Sequence, residues 1–391
     1  MAFRTLLWFS LFIGLAFSAH AKDTVAPLYI GIDADLSAVA AEGGVAIQRG
    51  VQIAVDEINQ AGGLLGRELK IIAKDHRGNP ARGVANLKQL AKNNDLLAVV
   101  GGVHTPVVVT ELDIIHQQNM LFLIPWAAGT ALVDNQFSPN NVFRVSVSDT
   151  EAASVLIGHA RSLQAKRVAL VLERTEWGRS NYRSIRLAAN AQDIDIASVH
   201  WINWQQKSFS EDVASIKALN IDAVILVTNA PEGAVVANEF HKQGLSKLPI
   251  ISHWGIASGN FINLLEVSPS TLNLTVLQTF HFEKQTHPRA QHLLAQYRQK
   301  YGPFAANAIP AKVGLAHAYD LVHLLAIATR IANEFDVTKI KAAMENLPPY
   351  QGVVKTYSPA FSKDAHDALT ALDYFMVSMD DNGHLVLPDN P

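Results

Sequence analysis

The sequence of 391 residues contains no cysteine. This excludes disulfide bonds, cysteine nucleophiles, cysteine-ligated zinc and iron–sulfur clusters, and the lipid-modified cysteine of a bacterial lipoprotein. An excess of positive charge is lacking as well, because 32 lysines and arginines stand against 35 aspartates and glutamates, which gives a formal charge of −3. Nucleic acids are bound largely through cations that neutralise phosphates, so we expect no nucleic-acid partner.

Long apolar runs are also missing. The run Leu6–Phe17 has 12 residues, which is too short for a transmembrane helix of about 20. Arg4 precedes it and Ala19-His20-Ala21 follows it, which is the pattern of a cleavable secretory signal peptide. We therefore expect residues 1–21 to be a signal peptide, removed before Lys22, and the mature protein to be periplasmic.

The composition indicates a globular protein, and the pattern of its apolar residues indicates an α/β fold. Hydrophobic residues make up 49% and charged residues 17% of the chain, enough apolar material for a packed interior. The strand-like runs are continuously apolar, which is typical of parallel sheets covered by helices on both faces. In the first half, the predicted strands are Leu28–Ile32, Glu68–Ala73, Leu96–Val100 and Leu121–Ile124, and the predicted helices are Arg49–Asn59, Ala81–Lys92 and Val107–Gln118.

The same alternation restarts in the second half, which predicts a second α/β domain with its own core. Its predicted strands are Arg167–Leu172, Ile196–Trp201, Ala223–Thr228 and Pro249–His253, with helices over Ser180–Gln192, Ser210–Leu219 and Glu232–Gln243. A long helix over Ala311–Asn333 follows an apparent return of the chain after Val276. This return predicts domains that are discontinuous in sequence.

The segment Ala54–Leu69 (AVDEINQAGGLLGREL) resembles the signature of periplasmic binding proteins for branched-chain amino acids, the substrate-binding subunits of ABC importers. The resemblance continues through Val99–Gly102, Leu123–Pro125, Val142–Arg144 and Ala318–Asp320. It implies a type I binding-protein fold, with two doubly wound parallel-sheet lobes that are joined by three crossover segments and close on a small ligand. It further implies a membrane permease as partner, a monomer, no cofactor and no enzymatic activity.

The resemblance also sets the expected domain limits. Residues 22–146 plus 279–356 would form lobe 1, and residues 147–278 plus 357–391 would form lobe 2. The crossovers would fall near Val145–Thr150, Val276–Phe280 and Lys355–Leu372.

The expected ligand site lies at the carboxyl ends of the parallel strands, where loops lead into helix N-termini. In family members that bind amino acids, a serine in one such loop of lobe 1 holds the ligand carboxylate. The resemblance places His104 and Thr105 there, and Thr105 keeps the hydroxyl. In the next loop, Trp126-Ala127-Ala128 replaces the usual small residue, alanine and threonine, so a threonine acceptor for the ligand ammonium is missing.

Lobe 2 departs from the family in a similar way. Its aromatic clamp falls on Trp177, which we expect to be an exposed indole in a loop, and Trp254 replaces the acidic partner of the ligand ammonium. A buried ammonium without a carboxylate costs several kcal/mol, which disfavours an α-amino acid as ligand. The predicted ligand-binding residues are His104, Thr105, Trp126, Ala127, Ala128, Trp177, Asn229, Trp254 and Ser37, with His253 as a further candidate.

Two ligand classes fit such a cleft. Indoles, an imidazole and a helix N-terminus suit a small carboxylate with an apolar or aromatic body. A tryptophan cage also suits a quaternary ammonium group. Besides import through an ABC permease, the same cleft could serve a soluble sensor that reports to a signalling partner, because docking surfaces leave no fixed motif.

Other motifs carry no function. The run Gly62–Gly66 follows a helix and precedes a strand, the reverse of the order in dinucleotide loops. Phosphate-binding, zinc-protease and hydrolase motifs are absent from the sequence. Trp201 and Trp204 are expected outside the cleft, and histidines such as His281, His287 and His292 are expected at the surface without a metal role.

Overall fold

The computed structural model of the protein describes residues 25–388. The predicted signal peptide therefore lies outside the described residues. Within residues 25–388, no helix combines the length and the apolar character needed to cross a membrane.

Lobe 1 is built on a sheet of five parallel strands. These are β1 (Leu28–Ala34), β2 (Leu69–Asp75), β3 (Leu96–Gly101), β4 (Phe122–Ile124) and β5 (Val142–Arg144), and the helices between them are α1 (Ala41–Gln60), α2 (Pro80–Leu90) and α3 (Thr105–Gln117). The strand order is β2-β1-β3-β4-β5. Helix α1 begins well before the predicted start at Arg49. Gly43 and Gly44 disfavour a helix intrinsically, but a Cβ at Gly44 would lie 1.8 Å from the carbonyl oxygen of Asp35, so glycine lets the helix start against β1.

Lobe 2 repeats the alternation, as predicted. Its elements are α4 (Asp149–Ser162), β6 (Arg167–Glu173), α5 (Glu176–Ala191), β7 (Asp195–Ile202), α6 (Ser210–Ala218), β8 (Ala223–Val227), α7 (Ala230–Lys242), β9 (Ile250–Ser252) and β10 (Leu274–Gln278). Strands β6, β8 and β9 are covered on both faces and buried along almost their whole length. This burial explains their continuously apolar sequences.

The chain then returns to lobe 1. Helices α8 (Pro288–Tyr301), α9 (Lys312–Ala332) and α10 (Val337–Met344) are followed by the hairpin of β11 (Tyr350–Gln351) and β12 (Thr356–Tyr357). Helix α9 packs against α1. The final strands, β13 (Phe375–Met379) and β14 (Leu385–Val386), join the lobe 2 sheet in the order β14-β13-β10-β9-β8-β6-β7.

The chain passes between the two sheets three times: after β5, after β10 and before β13. This confirms the α/β class and the two-lobed fold. A hydrogen bond links the end of β5 to the segment before β13. The guanidinium of Arg144, which is fully buried, donates through Nη2 to Asp367 at 2.9 Å. The residue limits of the lobes given above stay predictions.

Candidate functional site

The start of α3 forms the lobe 1 wall of the cleft. His104 precedes the helix, and its Nε2 lies 3.0 Å from Oδ2 of Asp35. Both side chains are buried. Burial raises the pKa of Asp35, but hydrogen bonds from His104 and from the backbone N–H groups of Ala40 and Ala38 outweigh burial and lower this pKa to about 2. The ionised carboxylate therefore fixes the orientation of the His104 ring.

Thr105 is the first residue of α3 and lines the cleft. Its hydroxyl oxygen accepts a hydrogen bond of 3.1 Å from the N–H of Gly129, which ties the helix to the loop after β4. The hydroxyl hydrogen is still able to donate to a ligand oxygen. Contact between Thr105 and a ligand carboxylate stays a prediction.

Two tryptophans meet across the cleft. Trp126 follows β4 in lobe 1, and Trp254 follows β9 in lobe 2. Their ring centroids are 5.1 Å apart with an interplanar angle of 30°. The hydroxyl of Ser146 donates to the carbonyl of Trp126 at 2.7 Å, and the N–H of Trp254 donates to Nδ1 of His253 at 2.9 Å. Both backbones are thus anchored, and the indole stack joins the two lobes.

Trp177 lines the cleft at the start of α5, but the expectation that its indole is exposed is wrong. The side chain is buried, and its Nε1 donates to Oδ1 of Asp149 at 3.1 Å. The edge of its ring meets His253 at a centroid distance of 5.1 Å. Nε2 of His253 also lies 3.4 Å from the same Asp149 oxygen. Asp149 begins α4 just after the first crossover. The hydrogen-bond partner of this buried indole is therefore distant from it in sequence.

Glu173, the last residue of β6, is a cleft residue that sequence reasoning missed. Its carboxyl group accepts hydrogen bonds from Nε1 of Trp204 at 2.7 Å and from the N–H of Asn229 at 2.5 Å. Only 1% of the residue is exposed. Burial and the nearby Glu232 carboxylate raise the pKa of Glu173 to about 8. The position was open to inference, because a carboxylate at the carboxyl end of a parallel strand lies where such sheets bind ligands.

The structure corrects the placement of Trp204. It was expected outside the cleft but lines it, and its ring contacts the ring of His104 at a centroid distance of 5.5 Å. Since Trp204 follows β7 and His104 precedes α3, this contact also joins the lobes. No local pattern around Trp204 indicates it, because the contact depends on how the lobes face each other.

The remaining predicted residues divide into two groups. Asn229 and Ala128 line the cleft, whereas Ala127, Ser37 and His253 do not. Ala127 is buried in lobe 1, and its carbonyl faces Nη1 of Arg144 at 3.4 Å. Ser37 lies on the exposed loop after β1 and donates to Oδ2 of Asp75 at 2.5 Å.

One histidine outside the cleft also departs from expectation. His281 is buried rather than at the surface, and its Nε2 bonds the carbonyl oxygen of Leu385 at 2.9 Å. His292 is exposed, as predicted. Among residues 25–388, no group of three or more histidine, aspartate or glutamate side chains is arranged to hold a metal ion.

The aromatic side chains nearly fill the cleft in this arrangement. The centres of water molecules can occupy about 10 Å³ of the remaining cleft, which is room for about one water molecule. A larger ligand therefore enters only when lobes or side chains move. The cleft offers such a ligand four indole faces, the buried Glu173 carboxyl group on the lobe 2 side, and the α3 N-terminus on the lobe 1 side.

Comparison with known proteins gives the family. A family model described as periplasmic binding protein matches residues 27–384. The Leu/Ile/Val-binding protein homolog 3 of Brucella melitensis is 26% identical over 260 residues, which are 64% of this chain and 68% of the relative.

Solved structures share the fold. The branched-chain amino acid transporter substrate binding protein LivJ of Streptococcus pneumoniae, solved with isoleucine, aligns with a TM-score of 0.79 and 21% identity over 93% of this chain and 100% of that chain. A solute binding protein of an ABC transporter from R. palustris, solved with 4-hydroxybenzoate, aligns with a TM-score of 0.78 and 14% identity over 93% and 96% of the two chains. Since the family match spans nearly all described residues, this chain belongs to the periplasmic binding protein family.

Proposed function

We propose that this protein is the extracytoplasmic solute-binding component of an ABC importer. It binds a small organic carboxylate with an aromatic or apolar body in the interlobe cleft, in preference to a branched-chain amino acid, and presents it to a membrane permease. The observation that carries the proposal is that four indoles from both lobes line the same cleft as one buried carboxyl group. Aromatic faces of this kind suit a planar or apolar ligand.

The carboxylate of the ligand would be held at the N-terminus of α3. Pro106 has no N–H, and the N–H groups of Val107 and Val108 already donate to the carbonyl of His104. The donors left are the backbone N–H and the hydroxyl of Thr105. The positive end of the helix dipole supports an anion at this position.

Glu173 would recognise a hydroxyl group at the other end of the ligand. With a pKa of about 8, Glu173 is mostly protonated at neutral pH. A protonated carboxyl group has one O–H donor and spare acceptor capacity, so a ligand hydroxyl, which also donates and accepts, is a matched partner. A mostly neutral Glu173 does not replace the missing counter-charge of an α-ammonium group. The R. palustris structure with 4-hydroxybenzoate provides a ligand of this class to test.

Titration calorimetry on purified, ligand-stripped protein tests the proposal. We expect 4-hydroxybenzoate to bind, and benzoate, which lacks only the hydroxyl, to bind about tenfold more weakly, the effect of one hydrogen bond. Leucine, isoleucine and valine should bind weakly or not at all, because Ala128 and Trp254 stand where the family has ammonium contacts. Micromolar or tighter binding of leucine would contradict the proposal.

One observation favours a second ligand class. Four indoles beside a buried carboxyl group also form an arrangement suited to an alkylammonium group through cation–π contacts. The substitution Glu173→Gln separates the two classes. Affinity for betaine should fall strongly if Glu173 ionises to pair with a cation, whereas affinity for 4-hydroxybenzoate should change little, because glutamine still donates and accepts.

A further inference from the structure

A second cavity lies where the lobes meet beside the second crossover, with about 220 Å³ of space for water centres. Lobe 1 contributes Glu42 and residues 307–313. Lobe 2 contributes the turn between β13 and β14 together with Ile256, Ala257, Gly259, Phe261 and Ile262. None of its lining residues lines the cleft. A dry cavity of about 150 Å³ is known to accept a benzene-sized molecule, so this one has room for a small organic ligand.

A buried cation lies in the wall of this cavity. Lys312, the first residue of α9, is only 3% exposed. Its ammonium donates to the carbonyl of Asn307 at 3.0 Å, and both residues line the cavity. Glu283 and Asp380 act on the charge of Lys312 from a distance, without forming an ion pair. An ammonium has three N–H donors, so two are available to a further acceptor.

Most of the remaining wall is apolar. Ile256, Phe261, Ile309, Val313 and Met379 contribute to it from both lobes. Of the other charged or titratable residues in the wall, Glu42 forms no ion pair with Lys312, and His384 lies 3.3 Å from Asp380. Ligand pockets commonly have such a composition, with an apolar lining and a few polar groups that fix orientation.

We infer that this cavity is a second ligand site, distinct from the cleft, for a small monocarboxylate whose carboxylate is bound by Lys312 and whose apolar body contacts the surrounding side chains. Burial lowers the pKa of Lys312 to about 8, which still leaves the amine mostly charged at neutral pH. Because both lobes line the cavity, an occupant stabilises the arrangement in which the lobes are together.

Hexanoate is the probe, and its binding to the full mature chain is measured by calorimetry. Lys312→Met keeps most of the length of the side chain and removes the charge, and Ala257→Leu occupies part of the cavity without a change of charge. Each should weaken hexanoate binding about tenfold or more. Hexanamide, which has the same tail without the charge, should bind the wild type similarly weakly. Thermal melting checks that both variants fold. Folding is expected for Lys312→Met because methionine removes a desolvated charge, and for Ala257→Leu because leucine extends into open space.

Hexanoate also belongs to the ligand class proposed for the cleft, so the matched control is the cleft variant Thr105→Val, which should weaken any hexanoate binding in the cleft but leave binding at the Lys312 site unchanged. The inference is overturned if the wild type does not bind hexanoate, or if, in the Thr105→Val background, addition of Lys312→Met leaves hexanoate affinity within about threefold of that of Thr105→Val alone. It is also overturned if Thr105→Val abolishes binding, which would place hexanoate in the cleft. The result does not depend on the cleft ligand, so failure here and failure of the proposed function are separate outcomes.

Discussion

Trp177 contributes both to the cleft surface and to the folded core. Its ring lines the cleft, while its Nε1 bonds Asp149 at the first crossover. The side chain is also part of the main hydrophobic cluster. A substitution at this residue therefore affects the ligand-free protein as well as ligand binding.

We expect Trp177→Ala to destabilise the ligand-free protein by about 3–5 kcal/mol, the usual cost of removing a buried tryptophan. Trp177→Phe keeps an aromatic ring but leaves Asp149 without its indole donor, and should cost about 1–3 kcal/mol. Urea unfolding of ligand-free protein measures both free energies of unfolding, and calorimetry with 4-hydroxybenzoate measures binding.

The control for this prediction is Trp201→Ala. Trp201 lies on β7, is partly buried and does not line the cleft, so its removal should leave 4-hydroxybenzoate affinity unchanged. An unchanged unfolding free energy for Trp177→Ala would show that the Asp149 bond and the ring packing contribute little.

Most single residues of the cleft lining were predictable from the resemblance. His104, Thr105, Trp126, Ala128, Trp177, Asn229 and Trp254 all line the cleft. Asn229 and Ser37 were placed by loop position, and Ala127 by the resemblance. The hydroxyl of Ser37 and the carbonyl of Ala127 bond within lobe 1 instead of lining the cleft. Trp204 was missed because its role arises from a contact with the opposite lobe, which local sequence does not encode.

At the scale of elements, the packing of α3 against α2 encloses an acidic pair. Glu111 of α3 is fully buried, and a Cβ at Gly83 of α2 would lie 2.1 Å from its Oε1. Asp33, near the end of β1, accepts a hydrogen bond of 2.7 Å from Nδ2 of Asn86. Burial and the neighbouring Asp33 carboxylate raise the pKa of Glu111 well above its ordinary value. Burial also raises the pKa of Asp33 to about 6.

These shifts make stability fall as pH rises. Between the ordinary pKa of glutamate, about 4.5, and its raised value, the folded state binds more protons than the unfolded state. Glu111→Gln removes this titration and keeps the shape. We expect it to raise the free energy of unfolding at pH 8 by about 1–3 kcal/mol and to change it much less at pH 4.5.

Thermal unfolding at both pH values tests this prediction, with Glu211→Gln on the exposed side of α6 as the control. Glu211→Gln should show no such difference between the two pH values. A loss of stability for Glu111→Gln at pH 8 would indicate that the ionised carboxylate is the form that the fold requires.

Elements with a local apolar pattern were predictable, whereas a strand whose pairing depends on a crossover was not. Strands β6, β8 and β9 and helices α5 to α7 match the sequence expectation closely, because burial on both faces or along one stripe imposes a local pattern. Strand β13 is antiparallel to β10 and far from it in sequence. This pairing depends on the third crossover, so no local periodicity in the sequence predicts it.

At the scale of the whole molecule, direct contacts hold the lobes together across the cleft. The Trp126–Trp254 stack is one, and the hydrogen bond of 3.3 Å from the N–H of Thr130 to Oγ of Ser180 is another. The space between the lobes admits about one water in this arrangement. Binding of a ring-sized ligand therefore requires the lobes to separate or the side chains to move, and the crossovers are the segments able to absorb a movement of the lobes.

We predict that an open form dominates without ligand and that bonds from the ligand to both lobes select the closed form. The crossover near Val145–Thr150 should absorb the change, because it links β5 of one lobe to α4 of the other. Small-angle scattering of ligand-stripped protein should give a larger radius of gyration than the same protein saturated with 4-hydroxybenzoate. Uncharged 4-hydroxybenzamide is the control and should not compact the protein, since it lacks the carboxylate for the α3 N-terminus. Equal radii with and without a saturating, calorimetrically verified ligand would show that the lobes do not open, and that side-chain movement alone admits the ligand.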